Sequence, residues 1–123
     1  MAIVDSSALI HLFDGTEEGE QIKKKYGQEM NAITAITLHE VTIGVHPHRK
    51  EIADYFMSRL EVLPYDKEAA QKGIEIELKL RKKGRLINRA DIFIAAICLI
   101  KNTPLITTDN DFLEIDGLKV LMP

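Results

Sequence analysis

The chain has 123 residues, with 16 Lys and Arg against 19 Asp and Glu, a formal net charge of −3. That length suits one domain of the usual ~100–150 residues. The apolar share of 46% and charged share of 28% match ordinary globular usage and exclude a disordered chain, a collagen-like repeat and a disulfide scaffold. The acidic balance also argues against a broadly basic surface that coats nucleic acid.

Taken in chain order, Ala2-Ile3-Val4 reads as a short apolar strand ending at Asp5. Ser6-Ser7 opens a short helix through Phe13, stopped by Asp14-Gly15. Thr16 can cap a second helix, with Glu17, Glu18 and Glu20 near its positive end, Lys23-Lys24-Lys25 near its negative end and Gly27 as a stop. Ala32-Ile33-Thr34 is a second strand, and Thr37-Leu38-His39-Glu40 opens a third helix as a capping box. Pro47 fits the first turn of a fourth helix through about Leu60. Val62 to Tyr65 is extended. A long helix then runs from an Asp66 cap to Lys83, with Ala70, Ile74 and Leu78 on one face. Ala90 to Ile100 is an apolar helix, Pro104 to Thr107 a fourth strand and Leu118 to Leu121 a fifth. Strands alternating with helices imply an α/β fold: a central, mostly parallel sheet of about five short strands flanked by helices.

The single cysteine, Cys98, lies in the apolar run Ile92–Ile100 and reads as a buried small hydrophobe in a reducing compartment. That run is far shorter than the ~20 residues a membrane helix needs, and no signal peptide is visible. The expectation is a cytoplasmic protein with no membrane partner.

In open α/β sheets, ligands bind beyond the carboxyl ends of the strands. Asp5 follows the first strand, and Thr107-Thr108-Asp109-Asn110-Asp111 follows the fourth. Glu40 falls early in the helix after strand two, and Asp91 in the first turn of the apolar helix. Each acid has a plainer role open to it. Asp5 suits a helix cap, Glu40 a capping box, Asp91 a helix dipole, and Asp109 and Asp111 a turn. Convergence of several acids would need a compensating cation, because two like charges 4 Å apart repel by about 4 kcal/mol at an effective dielectric of 20. Ligands that are all oxygen suit Mg²⁺ or Mn²⁺.

These segments together resemble the PIN-domain nucleases, and within them the compact VapC-type toxins of microbial toxin–antitoxin pairs. The resemblance rests on Ile3-Val4-Asp5-Ser6-Ser7-Ala8-Leu9-Ile10, on Thr34 to Glu40, on Ala90-Asp91-Ile92-Phe93-Ile94-Ala95-Ala96, on Leu105 to Phe112 and on Gly117-Leu118-Lys119-Val120. Where many relatives carry a Pro before the third acid, this chain has Asn88-Arg89-Ala90. The resemblance implies one PIN domain over residues 1–123 and metal-dependent hydrolysis of RNA. Asp5, Glu40, Asp91 and Asp109 would be the catalytic acids holding Mg²⁺ or Mn²⁺. Ser7, Thr107 and Asp111 would be their outer supports. It further implies a homodimer and a cognate antitoxin lying over the acidic groove. A housekeeping PIN endonuclease of RNA maturation and a silent PIN binding module are the alternatives. A two-component receiver would need paired acids after strand one and a phospho-accepting Asp at a central strand end, and a haloacid-dehalogenase-like phosphatase a second Asp where Ser7 stands.

RNA phosphates need cations. From Lys79 to Arg89, six of eleven residues are basic with no acid among them. Arg81, Lys82, Lys83, Arg85 and Arg89 are therefore the expected RNA-binding residues. The four histidines, His11, His39, His46 and His48, show no metal-ligand spacing.

Overall fold

Five short strands lie in one wholly parallel sheet in the order β3-β2-β1-β4-β5. They are β1 (Ala2–Val4), β2 (Met30–Thr34), β3 (Glu61–Leu63), β4 (Leu105–Ile106) and β5 (Val120–Leu121). This is a computed structural model, and it describes residues 1–123. Six α-helices connect or follow the strands: α1 (Ser6–Asp14), α2 (Glu17–Tyr26), α3 (Ala35–Gly44), α4 (Lys50–Ser58), α5 (Lys67–Lys82) and α6 (Arg89–Ile100). No helix is long and apolar enough to cross a membrane.

Successive strand residues point to opposite faces, and the core divides accordingly. Ile3, Ala32, Leu63 and Leu105 face α5 and α6, packing with Ile76, Leu80, Ile92 and Phe112. Ala2, Val4, Ile33 and Ile106 face the other way, against Leu9, Ile22, Val41 and Met57 of α1 to α4. Both faces of β1 are fully buried. That is why it reads as a continuous apolar run rather than an alternating one.

The chain builds outward from β1 to β2 and β3, then returns to the far side of β1 to place β4 and β5. The reversal falls between β1 and β4, so a crevice opens beyond their carboxyl ends. Asp5 and Thr107 are the first residues past those ends.

Local chemistry explains most element boundaries. Gly15 ends α1 in the left-handed region at φ 66°, where its N–H meets the His11 and Leu12 carbonyls. The Thr16 hydroxyl then caps α2 by accepting from the Gly19 N–H. Gly19 itself sits against the His11 carbonyl, and a Cβ there would overlap that oxygen. The Asp66 carboxylate accepts from the Ala69 N–H and starts α5.

Four expectations are corrected. Helix α3 starts at Ala35, because Thr34 rather than Thr37 caps it: the Thr34 hydroxyl accepts from the Thr37 N–H. Glu40 therefore closes no capping box. The fourth helix is split, with Pro47–Arg49 forming a 3₁₀ turn ahead of α4. On α5 the buried stripe is Ala69, Gly73, Ile76 and Leu80, while Ile74 and Leu78 are 60% and 55% exposed. The stretch Asn110–Glu114, expected as a plain turn, is a 3₁₀ helix that buries Phe112.

A candidate metal centre at the sheet's carboxyl edge

Asp5 sits at the start of α1 without capping it through its side chain. The carboxylate is 3% exposed, and two hydroxyls hold it. Ser7 Oγ donates to Asp5 Oδ2 at 2.8 Å, and Thr107 Oγ1 donates to the same oxygen at 2.8 Å. The Thr108 N–H donates to Ser7 Oγ and the Asp109 N–H to Thr107 Oγ1, and the two hydroxyl oxygens lie 3.2 Å apart, so Asp5, Ser7 and Thr107 form one hydrogen-bonded group. Both bonds fall on Oδ2, which leaves Oδ1 without a hydroxyl partner. Burial raises the Asp5 pKa, the Thr107 and Ser7 bonds oppose that rise, and the Glu40 charge adds to it.

Glu40, half-buried on α3, accepts from Ser6 Oγ at 2.7 Å. Asp91 lies in the first turn of α6, but Asn88 is the cap, its side-chain oxygen accepting from the Ala90 N–H at 2.9 Å. The Asp91 carboxylate is thus not consumed by helix initiation. Asp109 follows β4 and turns the chain by accepting from the Asp111 N–H at 2.9 Å. Asp91, Asp109 and Asp111 each offer a carboxylate oxygen, and these oxygens all lie within 4.8 Å of one another.

Burial and then the charges of Asp5, Asp109, Glu40 and Asp111 push the Asp91 carboxyl from an ordinary 3.8 up to about 7. Five acids from four separate segments therefore share one field. None of them is ion-paired with a Lys or Arg. Carboxylate oxygens alone, crowded and uncompensated by protein cations, form the donor set of a hard divalent cation. The donor chemistry fits such an ion.

The structure brings Asp91 and Asp109 to within ligand range of each other, while Asp5 and Glu40 lie near enough for their charges to act on Asp91, and Ser7 and Thr107 hold Asp5. Asp111, expected as an outer support, lies with Asp91 and Asp109 at ligand range. Sequence reasoning missed the Ser6–Glu40 bond. Its signal was the paired hydroxyl Ser6-Ser7, of which only the second was given a role.

The basic stretch is less free than its sequence suggests. Arg89 forms a bidentate pair with Glu77, Nε to Oε1 and Nη2 to Oε2, both at 3.0 Å. Arg81 reaches the same Glu77 at 3.2 Å. Lys83 pairs with Asp116 and Arg85 with Glu114, each at 3.2 Å. Lys79 and Lys82 have no acid partner. The single exposed pairs Lys83–Asp116 and Arg85–Glu114 are worth little, whereas Glu77, 18% exposed, holds Arg89 and Arg81 in a bidentate network.

A parallel α/β sheet with a carboxylate cluster at its switch point is an arrangement that could hold a divalent cation. The PIN domain family model matches residues 2–118. Ribonuclease VapC5 of Mycobacterium tuberculosis is 30% identical over 122 residues, spanning 94% of this chain and 87% of that protein. Ribonuclease VapC1 of Methanocaldococcus jannaschii is 33% identical over 115 residues, spanning 91% of this chain and 78% of the relative. Among solved structures, a toxin–antitoxin complex from Klebsiella pneumoniae superimposes with a TM-score of 0.82 at 26% identity, over 100% of this chain and 98% of the matched one. The chain belongs to the PIN-domain family, among the VapC ribonucleases.

Proposed function

We propose that the chain is a divalent-metal-dependent endoribonuclease and the toxin of a toxin–antitoxin pair. The observation that carries this is the convergence of Asp5, Glu40, Asp91, Asp109 and Asp111 with no protein cation among them. Two relatives named as ribonucleases and a matched toxin–antitoxin complex support it. Asp5, Glu40, Asp91 and Asp109 would hold Mg²⁺ or Mn²⁺ directly or through water, joined by Asp111, which lies at ligand range of Asp91 and Asp109. Such an ion supplies Lewis-acid stabilisation of charge developing on the phosphodiester and activation of water.

The protein's own residues do the rest. Ser7 and Thr107 hold the Asp5 carboxylate in one orientation, which would lower the reorganisation needed to hold a cation. Ser6 holds Glu40 in the same way. Lys79 and Lys82 offer charge to the RNA backbone at once, and Arg81, Lys83, Arg85 and Arg89 do so by exchanging a surface carboxylate for a phosphate. The cognate antitoxin would neutralise the acidic crevice by presenting a cation to it. The protein would act on RNA in the cytoplasm as a homodimer, which light scattering at micromolar concentration would report. The test is incubation of the purified protein with a mixed RNA pool in Mn²⁺, in Mg²⁺ and in chelator, followed by sequencing of the ends. Internal cuts that appear with either metal and vanish with chelator are expected. No cleavage with any divalent metal overturns the assignment.

A further inference from the structure

One feature beside the acids is neither a carboxylate nor a cation. Between α3 and α6 a concavity of about 410 Å³ is lined by Ala35, Ile36, His39 and Glu40 on one helix and by Ala90 and Phe93 on the other. Phe93 is partly exposed and His39 exposed, so two planar rings border the space. The Phe93 ring is held in place from behind. It stacks on Tyr65 with centroids 4.4 Å apart and planes 36° from parallel, and Tyr65 in turn presses on Gly73, where a Cβ would sit 2.6 Å from the Tyr65 hydroxyl oxygen. Small residues, Ala35 and Ala90, complete the lining. Glu40 lines this same space while its charge acts on Asp91, so the concavity adjoins the acid cluster.

We infer that this concavity is a nucleobase subsite: it receives one base of single-stranded RNA flanking the scissile phosphate, stacked on Phe93. The inference rests on the ribonuclease assignment above and adds a residue that holds the nucleotide beside the cut. Its physical basis is general. Unpaired bases bind proteins by stacking on aromatic faces. A pre-positioned ring costs little conformational entropy on binding. Continuity with Glu40 sets the distance along the RNA: the base occupying the space belongs to a nucleotide adjoining the cut, not to a distant one. An aliphatic peptide would also enter an apolar concavity, but it would have no need of planarity. The geometry favours the base because a ring fixed by Tyr65 borders a space that also touches an acid of the cluster.

The decisive variants separate planarity from apolar volume. Phe93→Trp keeps a ring, Phe93→Leu keeps apolar bulk without one, and far-ultraviolet circular dichroism confirms that both fold. With Mn²⁺ and a mixed RNA pool, wild type and Phe93→Trp should share a base preference next to the cut. Phe93→Leu should flatten that preference and raise KM about tenfold or more, with kcat nearly unchanged. A Phe93→Leu enzyme with wild-type KM and preference overturns the subsite. A second measurement stands apart from cleavage. In chelator, a short RNA carrying 2-aminopurine at successive positions should be quenched by wild type and Phe93→Trp, and not by Phe93→Leu. Equal quenching by all three overturns the proposal, whether or not the protein cuts. If wild type cuts no RNA under any metal, the ribonuclease assignment fails and the quenching result alone decides the subsite. If Phe93→Leu weakens binding of the cognate antitoxin but leaves quenching and cleavage intact, the concavity is a protein dock and the inference is wrong.

Discussion

Replacing Asp91 by Asn removes a charge that the surroundings resist. Its carboxyl is raised from 3.8 to about 7, first by burial and then by four neighbouring acids. At ~1.4 kcal/mol per unit, such a rise corresponds to roughly 4 kcal/mol, which solvent screening of a part-exposed group reduces to about 2 kcal/mol. The sign follows from proton linkage. An acid whose folded pKa exceeds its unfolded one binds its proton more tightly in the folded state, so stability falls as pH rises from about 4 through about 7 and levels off above that. In chelator at pH 8, Asp91→Asn should therefore melt about 6–8 °C above wild type. Near pH 4 the advantage should vanish. Adding Mn²⁺ at pH 8 should stabilise wild type, since a ligand that binds only the folded chain raises its stability, and should stabilise the variant far less. Thermal unfolding by circular dichroism at both pH values, with metal and with chelator, reads all four conditions. If Asp91→Asn and wild type keep the same pH profile and the same response to Mn²⁺, Asp91 is neither strained nor a ligand and the electrostatic argument fails.

Other residues give independent checks. Thr107→Val deletes one of the two hydroxyls on Asp5 Oδ2 and should lower cleavage about 10–100-fold, the usual cost of losing a support behind a metal ligand; unchanged kcat/KM would remove Thr107 from the site. Glu77→Gln releases both Arg89 and Arg81. RNA should then bind more tightly, with a salt dependence steeper by about one to two counterions, and a fluorescence anisotropy series against salt that matches wild type would show these arginines to be bystanders. Gly19→Ala would ordinarily favour a helix by ~1 kcal/mol. Here the new Cβ meets the His11 carbonyl, so urea unfolding should show a net loss of about 2 kcal/mol or more, and a gain would contradict the close packing of α1 on α2.

Much of the site was legible because strand ends are legible. Asp5 and Thr107 follow buried apolar runs, and a parallel sheet sends such residues to one edge. Asp91 was conspicuous as an acid opening a helix otherwise almost wholly apolar. What escaped the sequence depended on choices between equivalent local signals or on distant partners. Thr34 and Thr37 can each cap a helix, and burial of Thr34 at the end of β2 decides for the first. Two apolar stripes compete on α5. The one with Ala69 and Gly73 wins, because small residues let α6 approach. The basic stretch looked unopposed because two of its partners, Glu114 and Asp116, lie 29 and 33 residues further along the chain. Asp111 joins Asp91 only because Asp109 turns the chain back through its own side chain.

The central claim is that these converging acids form the cutting centre. Metal-dependent RNA cleavage by Asp5→Asn and by Asp91→Asn, each confirmed folded, tests it most directly. Both variants should lose the cuts that wild type makes in Mn²⁺, while remaining as compact and cooperative in unfolding. Retention of metal-dependent cleavage in both would place the chemistry elsewhere in the molecule.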